Sequence, residues 1–141
     1  MSSSLLMIFV KNLIPGMVKM RLAKDIGIGK ALDVYNKLVH HTYKITKNIQ
    51  VDKTVHYSEY VEPEDVWNND DFKLTTQKGS TLGARMHHAF EEAFNSYHKV
   101  VIIGSDCYDL DSKILKLAFE MLESSDVVVG PARDGGYYLL G

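Results

Sequence analysis

Apolar residues fall along this chain in two rhythms. Leu5-Leu6-Met7-Ile8-Phe9-Val10, Val100-Val101-Ile102-Ile103 and Val127-Val128-Val129 are unbroken apolar runs. Such runs predict strands buried on both faces of a sheet. Between them, apolar residues recur at helical spacing. Over residues 30–49 the stripe is Ala31, Val34, Tyr35, Leu38, Val39, Thr42 and Ile45. A second stripe is Leu82, Met86, Ala89, Phe90, Ala93, Phe94 and Tyr97. A third is Ile114, Leu115, Ala118, Met121 and Leu122, with Asp111 in the position of a helix N-cap. Residues 53–59 alternate as a short strand, residues 72–76 form another, and the polar, acidic stretch 62–71 between them reads as a loop. Strands alternating with helices predict an α/β fold: one domain over residues 1–141, with helices layered on both sides of a mostly parallel sheet.

The last apolar stretch, Tyr137-Tyr138-Leu139-Leu140, reads as a core strand with nothing after it to cover it. It predicts either truncation at the C-terminus or a layer supplied by another chain. An unpaired terminal strand recruits strands from other chains, so a homo-oligomer is expected.

Composition removes several classes of function. With 45% hydrophobic residues in 141 the chain can bury a core. A net charge of −2 argues against nucleic acid as a partner. The one cysteine, Cys107, excludes an internal disulfide and carries no Cys–His signature of a nucleophile. The first apolar run is too short to span a bilayer and lacks the flanks of a signal peptide, so the expected location is the cytoplasm. His40-His41 and His87-His88 are adjacent on helices, and neighbours one apart do not share a face, so neither pair predicts a chelate. Trp67, alone in an acidic loop, is expected to anchor that loop rather than to stack on a ligand.

Candidate chemistry clusters where strands end, and ligands in open α/β sheets sit outside the carboxyl ends of strands. After the first strand come Gly16, Lys19 and Arg21. Gly16 permits close backbone approach, and the alternating Lys19 and Arg21 suit a phosphate clamp, or equally a solvated basic loop. After the second apolar strand stands Asp106, well placed to hold a divalent cation through oxygen, while Asp109 suits a turn. After the third, Asp134-Gly135-Gly136 is a tight-turn signal. If Asp134 faces the same cleft as Asp106, the two carboxylates make a site for Mg²⁺ or Mn²⁺.

The stretches FVKNLIPGMVKMRLA (9–23), QKGSTLGARM (77–86), IIGSDCYDL (102–110) and GPARDGGYYLLG (130–141) carry a resemblance. Taken in this order, they resemble the glycosyltransferase A-like proteins known as radical-SAM/selenodomain-associated transferases. The resemblance covers essentially the whole chain. It implies the Rossmann-like, three-layer α/β/α nucleotide-diphospho-sugar transferase fold. More distantly, the layout is similar to the molybdenum-cofactor and phospholactate guanylyltransferases. That likeness implies that Gly16, Lys19 and Arg21 bind phosphates, that Asp106 binds the metal, and that Gln77 and Gly83 lie near the nucleotide base. The chain departs from the family at Leu13 (usually Pro), Met20 (usually Thr) and Tyr108 (usually Pro). These departures imply a lost phosphate contact at Met20 and a relaxed turn after Asp106. The expected function is a metal-dependent glycosyl- or nucleotidyl-transferase using a nucleotide sugar or a nucleoside triphosphate. The competing expectation is a non-catalytic nucleotide-binding scaffold that lacks its acceptor half.

Overall fold

The computed structural model describes residues 4–10, 28–61, 66–69, 71–104, 111–122, 124, 129–131 and 137–140. For 28–32, 35, 129–131 and 137–140 it describes the backbone only. Strand β1 (Ser4–Val10) leads to helix α1 (Ile28–Thr46), then β2 (Asp52–Tyr57), β3 (Lys73–Thr76), α2 (Leu82–Ala93), β4 (Lys99–Gly104), α3 (Ser112–Met121), β5 (Val129–Pro131) and β6 (Tyr137–Leu140). The sheet order is β3-β2-β1-β4-β6-β5. β3, β2, β1 and β4 run parallel, and β6 is antiparallel to both of its neighbours.

The continuous apolar runs do what fully buried strands must. In β1, Leu6, Ile8 and Val10 point to one face of the sheet, with Val101 and Ile103 of β4 and Val55 and Tyr57 of β2. α1 and α3 cover that face through Val39, Leu115, Ala118 and Phe119. Leu5, Met7 and Phe9 point to the other face, with Val100 and Ile102, under Met86, Ala89 and Ala93 of α2. Period-2 side-chain alternation with apolar residues at both parities therefore yields three layers. Truncating any of these fully buried aliphatic side chains to Ala costs about 2–5 kcal/mol.

Helix ends follow local chemistry. Asp111 caps α3 as expected, its Oδ1 accepting from Ile114 N–H at 2.8 Å, and Thr81 caps α2 by accepting from Ala84 N–H at 3.1 Å. α1 stops at Thr46, short of the predicted residue 49. There the Thr42 and Thr46 hydroxyls donate back to the carbonyls of Leu38 and Thr42 at 3.0 and 2.8 Å. Three carbonyls at this end, those of Thr46, Lys47 and Ile49, accept from the Lys53 ammonium at 3.2, 3.0 and 3.1 Å.

Trp67 is fully buried, edge-on to Tyr43 and Phe72 at 5.7 and 5.1 Å, and so it anchors its segment. The predicted α2 stripe needs correcting at Leu82 and at Phe94, which are 64% and 55% exposed. Leu82 opens the helix, and Phe94 is its C-cap, stacked on Phe90 at 5.8 Å. Met121, at the end of the predicted α3 stripe, is also exposed.

The terminal stretch needs a larger correction. β6 is not an unpaired edge: it lies between β4 and β5, with Ile103 opposite Leu139 and Val129 opposite Leu140. The edge-strand argument for self-association therefore falls away. β5, at one edge of the sheet among the described residues, carries Pro131, and an edge is where a strand tolerates a residue without an N–H. Of the predicted apolar run 127–129, only Val129 lies within the described residues. No helix among the described residues is long and apolar enough to cross a membrane.

Candidate functional site

The register brings the carboxyl ends of the parallel strands to one edge. Val10 pairs with Tyr57, Tyr57 with Thr76, and Phe9 with Gly104. Pro131 pairs with Tyr137, two residues beyond Leu139, which faces Ile103. The backbone positions flanking 11–27, 105–110 and 132–136 thus share that edge. Gly16, Lys19, Arg21, Asp106 and Asp134 themselves lie outside the described residues, as do Cys107 and Asp109. Among the described residues, no three His, Cys, Asp or Glu side chains converge as a metal site.

Gln77 and Gly83 are described, and they belong to one structure around the start of α2. A parallel sheet leaves carbonyls pointing out of its carboxyl edge, and each needs a donor. Ser58 N–H donates to Val10 O at 2.9 Å, and Gln77 N–H donates to Tyr57 O at 2.8 Å. The Gln77 side chain reaches back as well. Its Nε2 donates to His56 O at 2.9 Å, and its Oε1 accepts from Arg85 Nη1 at 3.1 Å. Arg85 Nη1 also donates to Ser58 O at 3.3 Å, and its Nε donates to Gly79 O at 3.0 Å. The ends of β2 and β3, the intervening turn and the first turn of α2 are thereby tied to one guanidinium, whose planar fork suits divergent acceptors.

Gly79 makes that closeness possible. Its φ of +136° is one that L side chains rarely adopt, and a Cβ there would meet Arg85 N at 2.9 Å. Gly83 is the opposite case: a Cβ there would meet nothing within 4 Å. Ser80, Thr81, Leu82 and Gly83 are all exposed. The outer side of this turn therefore carries the side chains of Ser80, Thr81 and the apolar Leu82 beside the open backbone of Gly83. Its inner side is fully braced.

Beneath the edge, His56 is buried on the α2 side of the sheet, tilted against Phe9 at a ring separation of 5.3 Å, with Nε2 2.9 Å from Thr54 Oγ1. Desolvation pushes its pKa down to about 4, against a smaller opposing pull from Glu92. It is a neutral packing and hydrogen-bonding residue at physiological pH. His87 and His88 pair with the glutamates one turn on, Glu91 at 3.6 Å and Glu92 at 3.3 Å, rather than with each other.

Sequence reasoning missed Arg85 and His56. Arg85 carried a local signal: a cation in the first turn of a helix opposes the helix dipole, so it calls for acceptors from elsewhere. His56 carried none beyond its place in an alternating strand.

The opposite edge is built differently. A cavity of about 520 Å³ opens there, lined in part by Lys47, Asp52, Lys53, Asp71, Lys73 and Tyr97. Three of its polar groups bond within the protein: Lys53 donates to the carbonyls of Thr46, Lys47 and Ile49, and Tyr97 OH donates to Asp52 Oδ2 at 2.7 Å.

Residues 41–141 match a protein family described as an uncharacterized protein conserved in bacteria (DUF2064). Among solved structures, the chain is similar to a protein of Desulfovibrio desulfuricans G20 provisionally named a nucleotide-diphospho-sugar transferase, at 34% identity and a TM-score of 0.87. The likeness covers 99% of this chain and 63% of that one, so this chain spans less than two thirds of that protein's length. No curated protein matches the chain.

Proposed function

We propose, given that the chain belongs to the DUF2064 family of bacterial proteins, that it is a transferase that binds a nucleotide sugar at the carboxyl edge of its sheet. The observation that carries this reading is the likeness in sequence and fold to the Desulfovibrio protein named for that chemistry. The shared edge of Val10, Tyr57, Thr76, Gly104 and Pro131 supports it, because the candidate residues follow these strand ends in sequence.

In this reading Gly16, Lys19 and Arg21 hold the diphosphate, Gln77 and Gly83 flank the base, and Asp106 with Asp134 holds Mg²⁺ or Mn²⁺. Two carboxylates form a donor set suited to a hard cation. In glycosyl transfer the bond from the anomeric carbon to the diphosphate oxygen breaks, and an acceptor hydroxyl bonds to that carbon and gives up its proton. Negative charge accumulates on the departing diphosphate. Lys19 and Arg21 neutralise it, Arg as a fork and Lys as a point charge, so their contribution is positioning and electrostatics. A bound divalent cation adds further neutralisation of the same oxygens. The capped carbonyls of Val10, His56, Tyr57 and Ser58 also matter here, since bare acceptors at this edge would repel a diphosphate.

The test is a thermal-shift panel of nucleoside diphosphates and nucleotide sugars, with and without Mn²⁺ or Mg²⁺, on wild type and Asp106→Ala. A true ligand at a hundredfold excess over Kd stabilises by about 2.7 kcal/mol. Wild type should respond in a metal-dependent way, and Asp106→Ala should not respond while keeping its fold. No response from wild type to any nucleotide sinks the proposal.

A further inference from the structure

We infer that Arg85 is the positioning residue of the base side of this site, and that the Gln77 amide braces the turn rather than reading the base. This rests on the nucleotide-binding reading above. A side-chain amide that recognises a base must present its donor and acceptor outward. The Gln77 amide faces inward: Nε2 donates to His56 O and Oε1 accepts from Arg85. Turning it outward would break both bonds, leaving the His56 carbonyl without its side-chain donor and the half-buried guanidinium with two of its three acceptors, Gly79 O and Ser58 O.

What faces outward is Leu82, 64% exposed, beside the bare backbone of Gly83. An exposed apolar side chain next to open backbone suits the flat face of a heterocycle, with hydrogen bonds made by the main chain. The position of that surface is set from behind. Arg85 ties Gly79 to Ser58 and Gln77, and Gly79 lies so close to α2 that no side chain fits between them. Ser58 is bonded in turn to Val10, the last residue before segment 11–27 with its phosphate candidates. One side chain thus fixes where the base surface stands relative to the end of β1.

Calorimetric titration with a nucleoside diphosphate and with inorganic pyrophosphate, each with Mg²⁺, tests this on wild type, Arg85→Ala and Gln77→Met. Arg85→Ala should weaken the nucleoside diphosphate at least tenfold and pyrophosphate less than twofold. Gln77→Met should weaken UDP, GDP, ADP and CDP by similar factors without reordering them. If Arg85→Ala does not fold, Arg85→Lys, which keeps the charge but loses the fork, is held to the same criterion. Equal losses for nucleotide and pyrophosphate would overturn the positioning role. A reordered base preference in Gln77→Met would show that the amide reads the base. A wild type that binds no nucleoside diphosphate would remove the functional reading and this inference with it. A binding wild type matched by its Arg85 variants would remove the inference alone.

Discussion

Two cations at opposite edges of the same sheet solve the same local problem to different ends. Lys53, at the amino end of β2, donates to three carbonyls at the end of α1. Arg85, beyond the carboxyl ends of β2 and β3, donates to Gly79 O, Ser58 O and Gln77 Oε1. Lys53 is buried at 7% exposure, 5.2 Å from the Phe72 ring, which packs in turn on Trp67 and Tyr43. Arg85 is half-buried, and the turn it holds shows an open outer face. At the amino edge the cation's hydrogen bonds all go to the chain's own carbonyls, although its side chain also lines the cavity that opens there. At the carboxyl edge it leaves a shaped surface for something else to occupy.

The contrast breaks most easily at the amino edge. Trp67→Ala should lose about 3–5 kcal/mol by denaturant unfolding, as removal of a large buried aromatic does. Lys53→Met keeps the aliphatic bulk and removes the donor, so Lys47 O loses the ammonium while Thr46 O and Ile49 O keep only the backbone N–H groups of Ile49 and Val51. The expected loss is about 2–4 kcal/mol, and a loss below 1 kcal/mol would mean that water replaces the ammonium at no cost. Desolvation lowers the Lys53 pKa, with Asp71 pulling the other way. The ammonium is therefore held against a burial penalty.

A pH experiment probes the layer beneath the carboxyl edge. His56 titrates at about 4 when folded, against 6.5 when unfolded. As pH falls across that window the unfolded chain takes up a proton that the folded chain refuses. Stability present above pH 6.5 is thus lost on acidification, by roughly 3 kcal/mol in total at about 1.36 kcal/mol per tenfold difference in proton affinity. His56→Gln should flatten the profile between pH 6.5 and 4, and an unchanged slope would assign the acid sensitivity to other groups. The smallest stability change should come from Arg85→Ala. Its acceptors lie near water, so about 1 kcal/mol is expected, even though its effect on nucleotide affinity is large.

The two edges also differed in how far the sequence revealed them. The apolar runs of β1 and β4, the Asp111 cap and the anchoring Trp67 rest on local patterns, and the fold shows each of them. Lys53 shares its parity with the inward-facing Val55 and Tyr57, so alternation alone pointed it into the core. What it would bond to depended on where α1 ended. The position of β6 was not legible, because apolar character marks a strand but not its neighbours, and pairing with β4 and β5 is a long-range choice. The brace at the carboxyl edge was hidden for the same reason. Gln77 and Gly83 stood out through family resemblance, whereas Arg85 joins segments 8 to 27 residues apart.

The division between the edges is tested most directly by denaturant unfolding of Lys53→Met and Arg85→Ala with and without a saturating nucleoside diphosphate and Mg²⁺. Lys53→Met should be the less stable protein, yet gain as much from the ligand as wild type does. Arg85→Ala should be nearly as stable as wild type without ligand and gain at least 1.4 kcal/mol less from it, which is a tenfold loss of affinity. Equal ligand gains in the two variants, or a larger loss of ligand gain in Lys53→Met, would contradict the assignment of structure to one edge and binding to the other.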